Sequence, residues 1–91
     1  MNLQNLGLLK KAGKIIVGRK AIKYKKKKIK LIILARDLSY RSRRDIQLFA
    51  EKNGIDIIIG PTMSEIGEAL GSRPVGIIGV CGPYHSLILR K

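Results

Sequence analysis

Apolar residues fall at Leu3, Leu6, Leu9 and Ala12, with Ile15 and Ile16 beyond. This repeat of three to four residues predicts an amphipathic first helix over residues 2–14. The period then changes. "KIIVG" is a short β-branched run closed by Gly18, and reads as a strand. Residues 19–27 are polar and cationic, anchored only by Ala21, Ile22 and Tyr24. They predict a short helix, weakened by repulsion between neighbouring lysines. "IKLIILA" is continuously apolar apart from one lysine, the pattern of a strand buried on both faces.

Asp37-Leu38-Ser39 makes the turn at the end of that strand. Ser42 then reads as a helix N-cap, with Asp45 three residues on as its capping-box partner. Ile46, Phe49 and Ala50 form the buried stripe of this helix, and Asn53-Gly54 ends it. "IDIIIG" is the next strand. Pro61 leads into a second capping box, Thr62 to Glu65, and Ile66, Ala69 and Leu70 carry that helix to Gly71. "VGIIGVC" is the last strand, whose glycines admit a neighbouring backbone. Pro83 suits the first turn of a final helix holding Leu87, Ile88 and Leu89. Helices and strands alternate from end to end, which predicts an α/β fold, a three-layer α-β-α sandwich around a four-stranded sheet. Ninety-one residues suit one domain, spanning residues 1–91.

Composition adds a constraint on the core and a strong one on the surface. Tryptophan is absent and aromatics make up 4%, so the core is built from Ile, Leu, Val and Ala. Net charge is +13, from 19 Lys and Arg against 6 Asp and Glu. Such an excess repels itself and attracts polyanions. Its distribution is uneven: residues 1–35 hold 11 basic residues and no acid, and eight of the twelve residues 19–30 are Lys or Arg. The run lies between two strands, so it belongs to a folded surface and not to a loose tail. An apolar fraction of 45% likewise excludes a disordered polycation.

Catalytic chemistry finds no support. The single cysteine, Cys81, sits in an apolar run and reads as a small buried hydrophobe. The single histidine, His85, reads as a solvated surface residue. One Cys and one His supply no zinc-ligand spacing, and neither "GPT" nor "GSRPVG" is a phosphate loop. The expectation is a non-enzyme with no metal and no cofactor. The N-terminal stretch does not read as a signal peptide, and the longest oily runs are too short to span a bilayer. A soluble, cytoplasmic, monomeric protein with no membrane contact is expected.

The basic region points to a polyanion. It is not interleaved with acids, so no internal ion pair is expected to neutralise it. Lys10, Lys11 and Lys14 join it, as do Arg36, Arg41, Arg43 and Arg44 beyond the next strand. Gly18 stands where a strand gives way to a helix, whose first N–H groups favour an anion, and Arg19 and Lys20 add charge there. Tyr24, Tyr40 and Tyr84 are scattered and read as packing residues. Without a row of aromatics, recognition by RNA shape and phosphate is favoured over single-strand stacking.

Three segments, "LGLLKKAGKIIVG", "KIKLIILARDLS" and "TMSEIGEALGSRPVGIIGV", resemble the L7Ae/L30e ribosomal protein family, and most of all its small bacterial YlxQ-like members. The resemblance implies a three-layer sandwich with a four-stranded mixed sheet, and binding of kink-turn or related RNA. It implies contact through a turn of type Gly-x-[Asn or Lys]-[Glu or Gln], which reads here Gly18-Arg19-Lys20-Ala21, with Ala21 in place of the polar residue that helps to read a guanine. It also implies an apolar loop, Pro74-Val75-Gly76, with Val75 against an extruded base. The expected RNA-binding residues are therefore Gly18, Arg19, Lys20, Lys23, Lys25, Lys26, Lys27, Lys28, Arg36 and Val75, and the expected partner is ribosomal or another structured RNA, with the ribosome in view. The alternative is a protein-interaction scaffold of the same fold with an acidic protein partner; a ribose-methyltransferase role would need a separate methyl-donor domain.

Overall fold

The computed structural model describes residues 4–89. Five helices and four strands alternate: α1 (Gln4–Lys11), β1 (Ile15–Val17), α2 (Arg19–Tyr24), β2 (Ile29–Ala35), α3 (Tyr40–Asn53), β3 (Asp56–Gly60), α4 (Met63–Leu70), β4 (Ile77–Cys81) and α5 (His85–Leu89). A 3-10 turn, Lys26–Lys28, lies between α2 and β2. The strands form one sheet in the order β1-β4-β2-β3. The β2–β3 pair is parallel and β4 runs antiparallel to both its neighbours, so the sheet is mixed.

Alternation along β2 builds the layers. Leu31, Ile33 and Ala35 face one side, where Leu6 and Leu9 of α1, Ile66 and Leu70 of α4 and Ile88 of α5 cover them. Ile32 and Leu34 face the other side, under Ile22 of α2 and Ile46 and Ala50 of α3. The expected α-β-α sandwich is present. Ile29 breaks the alternation and joins the Ile32 side. In the pairing with β4, Ile29 lies opposite Cys81 and Leu31 opposite Val80, so Lys30 is the extra residue of a bulge. It is exposed, while every other residue of β2 is buried.

Helix α1 stops at Lys11, short of the expected Lys14; residues 2 and 3 of the expected helix lie outside the described residues. The cause is Gly13, whose φ is 74°. Its N–H donates to the Lys10 carbonyl at 3.0 Å, and the Lys14 N–H donates to the Leu9 carbonyl at 2.8 Å. These paired bonds around a left-handed residue form a Schellman end. Gly54 and Gly71 end α3 and α4 in the same conformation, as expected from the sequence.

The N-terminus of α3 differs from expectation. Its cap is Ser39, whose hydroxyl accepts from the Ser42 N–H at 3.4 Å. Ser42 is thus inside the first turn, and Asp45 is drawn to another helix. The Thr62–Glu65 capping box of α4 is present in both directions. Pro83 stands just before α5, its carbonyl accepting from the Ser86 N–H and hydroxyl. Cys81 is buried. His85 is half-buried, with Nδ1 shielded and lacking a protein partner among the described residues, so it is not the solvated residue expected.

Candidate functional site

Three chain segments meet at the end of the sheet where β1 and β2 finish and β4 begins. The Gly18 N–H donates to the Ile77 carbonyl at 3.1 Å, and the Gly18 carbonyl accepts from the Ile22 N–H at 3.1 Å. Gly18 thereby joins β1 to α2 at φ 94° and ψ 151°, a conformation open to glycine and strained for other residues. One strand away, the Ala35 N–H donates to the Gly76 carbonyl at 2.9 Å. The next residue, Arg36, donates its N–H to the Pro61 carbonyl at 3.1 Å. Gly18, Val75 and Arg36, distant in sequence, therefore share the Gly18 end of the sheet.

Close backbone approaches hold this end in shape. The Val75 N–H donates to the Met63 carbonyl at 3.0 Å, and the half-buried Val75 packs on the core. A Cβ on Gly67 would lie 2.3 Å from the Arg73 carbonyl oxygen, so only glycine lets the loop before β4 rest on α4. Asp37 Oδ1 accepts from the Met63 N–H at 2.9 Å, tying the end of β2 to the start of α4. Asp37 shapes the turn, as expected. The Arg43 guanidinium donates to the Arg36 carbonyl at 3.0 Å. Arg36 projects outward, 65% exposed, with Nη2 3.7 Å from Glu65. Glu65 is held below the usual carboxylate range by the Thr62 N–H, then by the Thr62 hydroxyl, with Arg36 adding to them.

The basic run is not free of acids. Asp45, on α3, lies 2.9 Å from Lys23 Nζ and 3.5 Å from Arg19 Nη1. The Lys23 hydrogen bond leads in lowering the Asp45 pKa, with the charges of Lys23 and Arg19 behind it. The expectation of an unneutralised cluster therefore fails at these two residues; the acid comes from a helix 22 residues away in sequence. Lys20 is exposed and has no acidic partner within ion-pair distance among the described residues.

The remaining lysines are elsewhere. Helix α2 carries the chain back across the sheet, and the Lys28 carbonyl accepts from the Gly82 N–H at 3.2 Å. Gly82 and Ile77 are five residues apart along β4, roughly 17 Å at strand rise. Lys26, Lys27 and Lys28 thus lie at the Gly82 end, with Lys25 leading into them. The sequence places Gly18 and this run on one surface, and the fold divides them between two ends. Lys14 also belongs to the Gly82 end, where its carbonyl accepts from the Cys81 N–H at 3.0 Å and its Nζ lies 5.1 Å from the Tyr84 ring centroid. Lys10 is turned inward to the Leu70 carbonyl at 3.0 Å. Of the tyrosines read as packing residues, Tyr84 lies under Lys14, while Tyr24 is 88% exposed and Tyr40 73%. The Lys30 bulge is what sequence reasoning passed over, although a lysine interrupting an apolar strand was its visible signal.

The sequence matches the Ribosomal protein L7Ae/L30e/S12e/Gadd45 family over residues 3–89. The chain belongs to this family. Its fold is similar to that of a protein of unknown function from Bacillus halodurans C, with a TM-score of 0.87 at 21% identity over 96% of this chain and 90% of that one. It is also similar to the 15.5kD RNA binding protein of Giardia lamblia, with a TM-score of 0.73 at 16% identity over 87% of this chain and 69% of that one. No curated protein sequence matches. Within the matched span, Thr62 and Glu65 cap α4, Gly67 gives its close approach and Gly71 its end. Among the described residues no group of His, Cys, Asp and Glu is placed to hold a metal ion, and no helix is long and apolar enough to cross a membrane.

Proposed function

We propose that the protein is a non-catalytic RNA-binding protein of ribosomal-protein type, a single monomeric domain of the cytoplasm. It binds structured RNA, ribosomal RNA among the candidates, through the Gly18 end of its sheet. The observation that carries the reading is the meeting of Gly18, Arg36 and Val75 at one end of a strongly basic fold. Membership of the family and the likeness to an RNA binding protein support it.

In this reading Gly18 sets the turn that brings Arg19 and Lys20 against the RNA. Arg36 clamps a phosphate, and Val75 supports a base turned out of the stack. Lys23, shared with Asp45, moves to phosphate as the RNA arrives. Lys25, Lys26, Lys27 and Lys28 add long-range attraction. Ala21 is half-buried and presents no polar group, so guanine readout is weaker and phosphate contact carries more of the affinity.

Binding to a kink-turn RNA and to a plain duplex of equal length, across a salt series, tests the proposal. The kink-turn RNA is expected to bind more tightly, and Lys20→Ala to relax the preference. Equal affinity for both RNAs would remove kink-turn recognition, and no binding to either at moderate salt would remove the RNA reading.

A further inference from the structure

We propose that Lys14, Lys26, Lys27, Lys28 and Lys30 form a second RNA surface at the Gly82 end, which grips the phosphates of a helical segment separate from the RNA at the Gly18 end. This rests on the reading of the protein as an RNA binder, and it makes one molecule a bridge between two RNA segments.

Four observations carry it. First, the lysines are gathered by the fold. Lys14 and Lys28 flank the end of β4 through backbone bonds to Cys81 and Gly82, about two strand spacings, or ~10 Å, apart. The bulge turns Lys30 outward beside them, and a Cβ on Gly82 would lie 2.3 Å from Lys30 Cγ. Second, none of the five has an acid within ion-pair distance among the described residues, in contrast to Arg19, Lys23 and Arg36 at the other end. Third, the 3-10 turn spreads three consecutive lysines around its axis, and with Tyr24 and Lys25 they border a shallow cavity of about 330 Å³.

Fourth, the two ends differ in chemistry. The Gly18 end carries arginines, with Arg19 on α2, Arg36 after β2, and Arg41, Arg43 and Arg44 in the first turns of α3. The cations of the Gly82 end are lysines among the described residues, and Asp56, at the start of β3 opposite Leu31, makes no ion pair with them. Guanidinium forks suit planar, bidentate recognition, whereas ammonium groups act as point charges on phosphate. A lysine ridge without a row of aromatics fits the backbone of an A-form duplex, recognised by shape and phosphate.

The test uses a plain RNA duplex and an immobilised kink-turn RNA. A ridge variant combines Lys26→Gln, Lys27→Gln, Lys28→Gln and Lys30→Gln, and a Gly18-end variant combines Lys20→Ala with Arg36→Ala. The ridge variant is expected to lose duplex affinity by tenfold or more and to lower the salt slope by about three to four, near one per lysine. The Gly18-end variant is expected to keep both. Protein already held on the kink-turn RNA is expected to capture labelled duplex, and the ridge variant is not. Equal loss in both variants, or no capture by the bound protein, overturns the second surface. So does retention of poly-glutamate without duplex, which would assign the ridge to an acidic protein. Failure of kink-turn binding with ridge-dependent duplex binding intact would overturn the Gly18-end reading alone.

Discussion

Gly67 is where a missing side chain shapes the molecule most directly. The loop carrying Val75 lies so close that a Cβ would stand 2.3 Å from the Arg73 oxygen and 2.9 Å from Pro74 Cα. Both are backbone atoms, which cannot swing aside as a flexible side chain would. Gly67→Ala is therefore expected to push the loop off α4 and to cost about 1–3 kcal/mol in denaturant unfolding. The same variant is expected to weaken kink-turn binding through Val75 while leaving duplex binding at the Gly82 end intact. Asp45 gives the opposite kind of residue-scale prediction. It occupies Lys23 and Arg19, and exposed ion pairs of this type add little stability. Asp45→Asn frees two cations, so RNA affinity at low salt is expected to rise while the thermal midpoint stays nearly constant. A fall in affinity would mean that Asp45 holds the two cations in their binding positions.

At the scale of elements, the caps separate two readings of α3. Its cap is Ser39, so Ser39→Ala is expected to lower stability while Ser42→Ala, inside the helix, has little effect. Thr62→Ala removes half of a reciprocal capping box and is expected to cost about 1 kcal/mol. The box also has a pH signature. The Glu65 carboxyl binds its proton less readily folded than unfolded, because the Thr62 N–H and hydroxyl favour the charged form. Its contribution is present above the ordinary carboxylate pKa and is lost as pH falls through the lowered folded value. The thermal midpoint of Glu65→Gln is thus expected to fall less on acidification below about pH 4 than that of the natural chain. Elements of this kind were legible because caps and apolar runs are local signals: "IKLIILA", "IDIIIG" and the Thr62–Glu65 box each name themselves. Ser39 and Ser42 were confused because Asp45, three residues after Ser42, imitates a capping-box partner, and only the backbone angles decide between them. The Asp45 pairing was illegible because its partners come from another helix. The candidate site was half legible. Gly18 and Val75 belong to recognisable segments, but a one-dimensional lysine run gives no sign that α2 returns across the sheet and delivers its end to the far side.

For the whole molecule, a net charge of +13 acts on stability and on binding with opposite dependence on salt. Lysines and arginines crowd both ends of a molecule whose principal extents are 29 × 26 × 23 Å. Even at physiological ionic strength, with a screening length of about 8 Å, neighbours within one end still repel, while the two ends are largely screened from each other. The free protein is therefore expected to gain thermal stability as salt rises from low to physiological strength, because screening relieves repulsion within the folded state. RNA affinity is expected to fall over the same range, because the counterions each phosphate contact releases gain less entropy in a more concentrated salt. Two screened ends also act as nearly independent charge clusters. Neutralising the Gly82 end is then expected to raise the thermal midpoint of the free protein at low salt, with the gain vanishing at high salt. Thermal melts of the natural chain and the ridge variant across a salt series read this directly. A ridge variant that melts lower than the natural chain at every salt concentration would mean that the lysines are tied into the fold and are not held ready for phosphate.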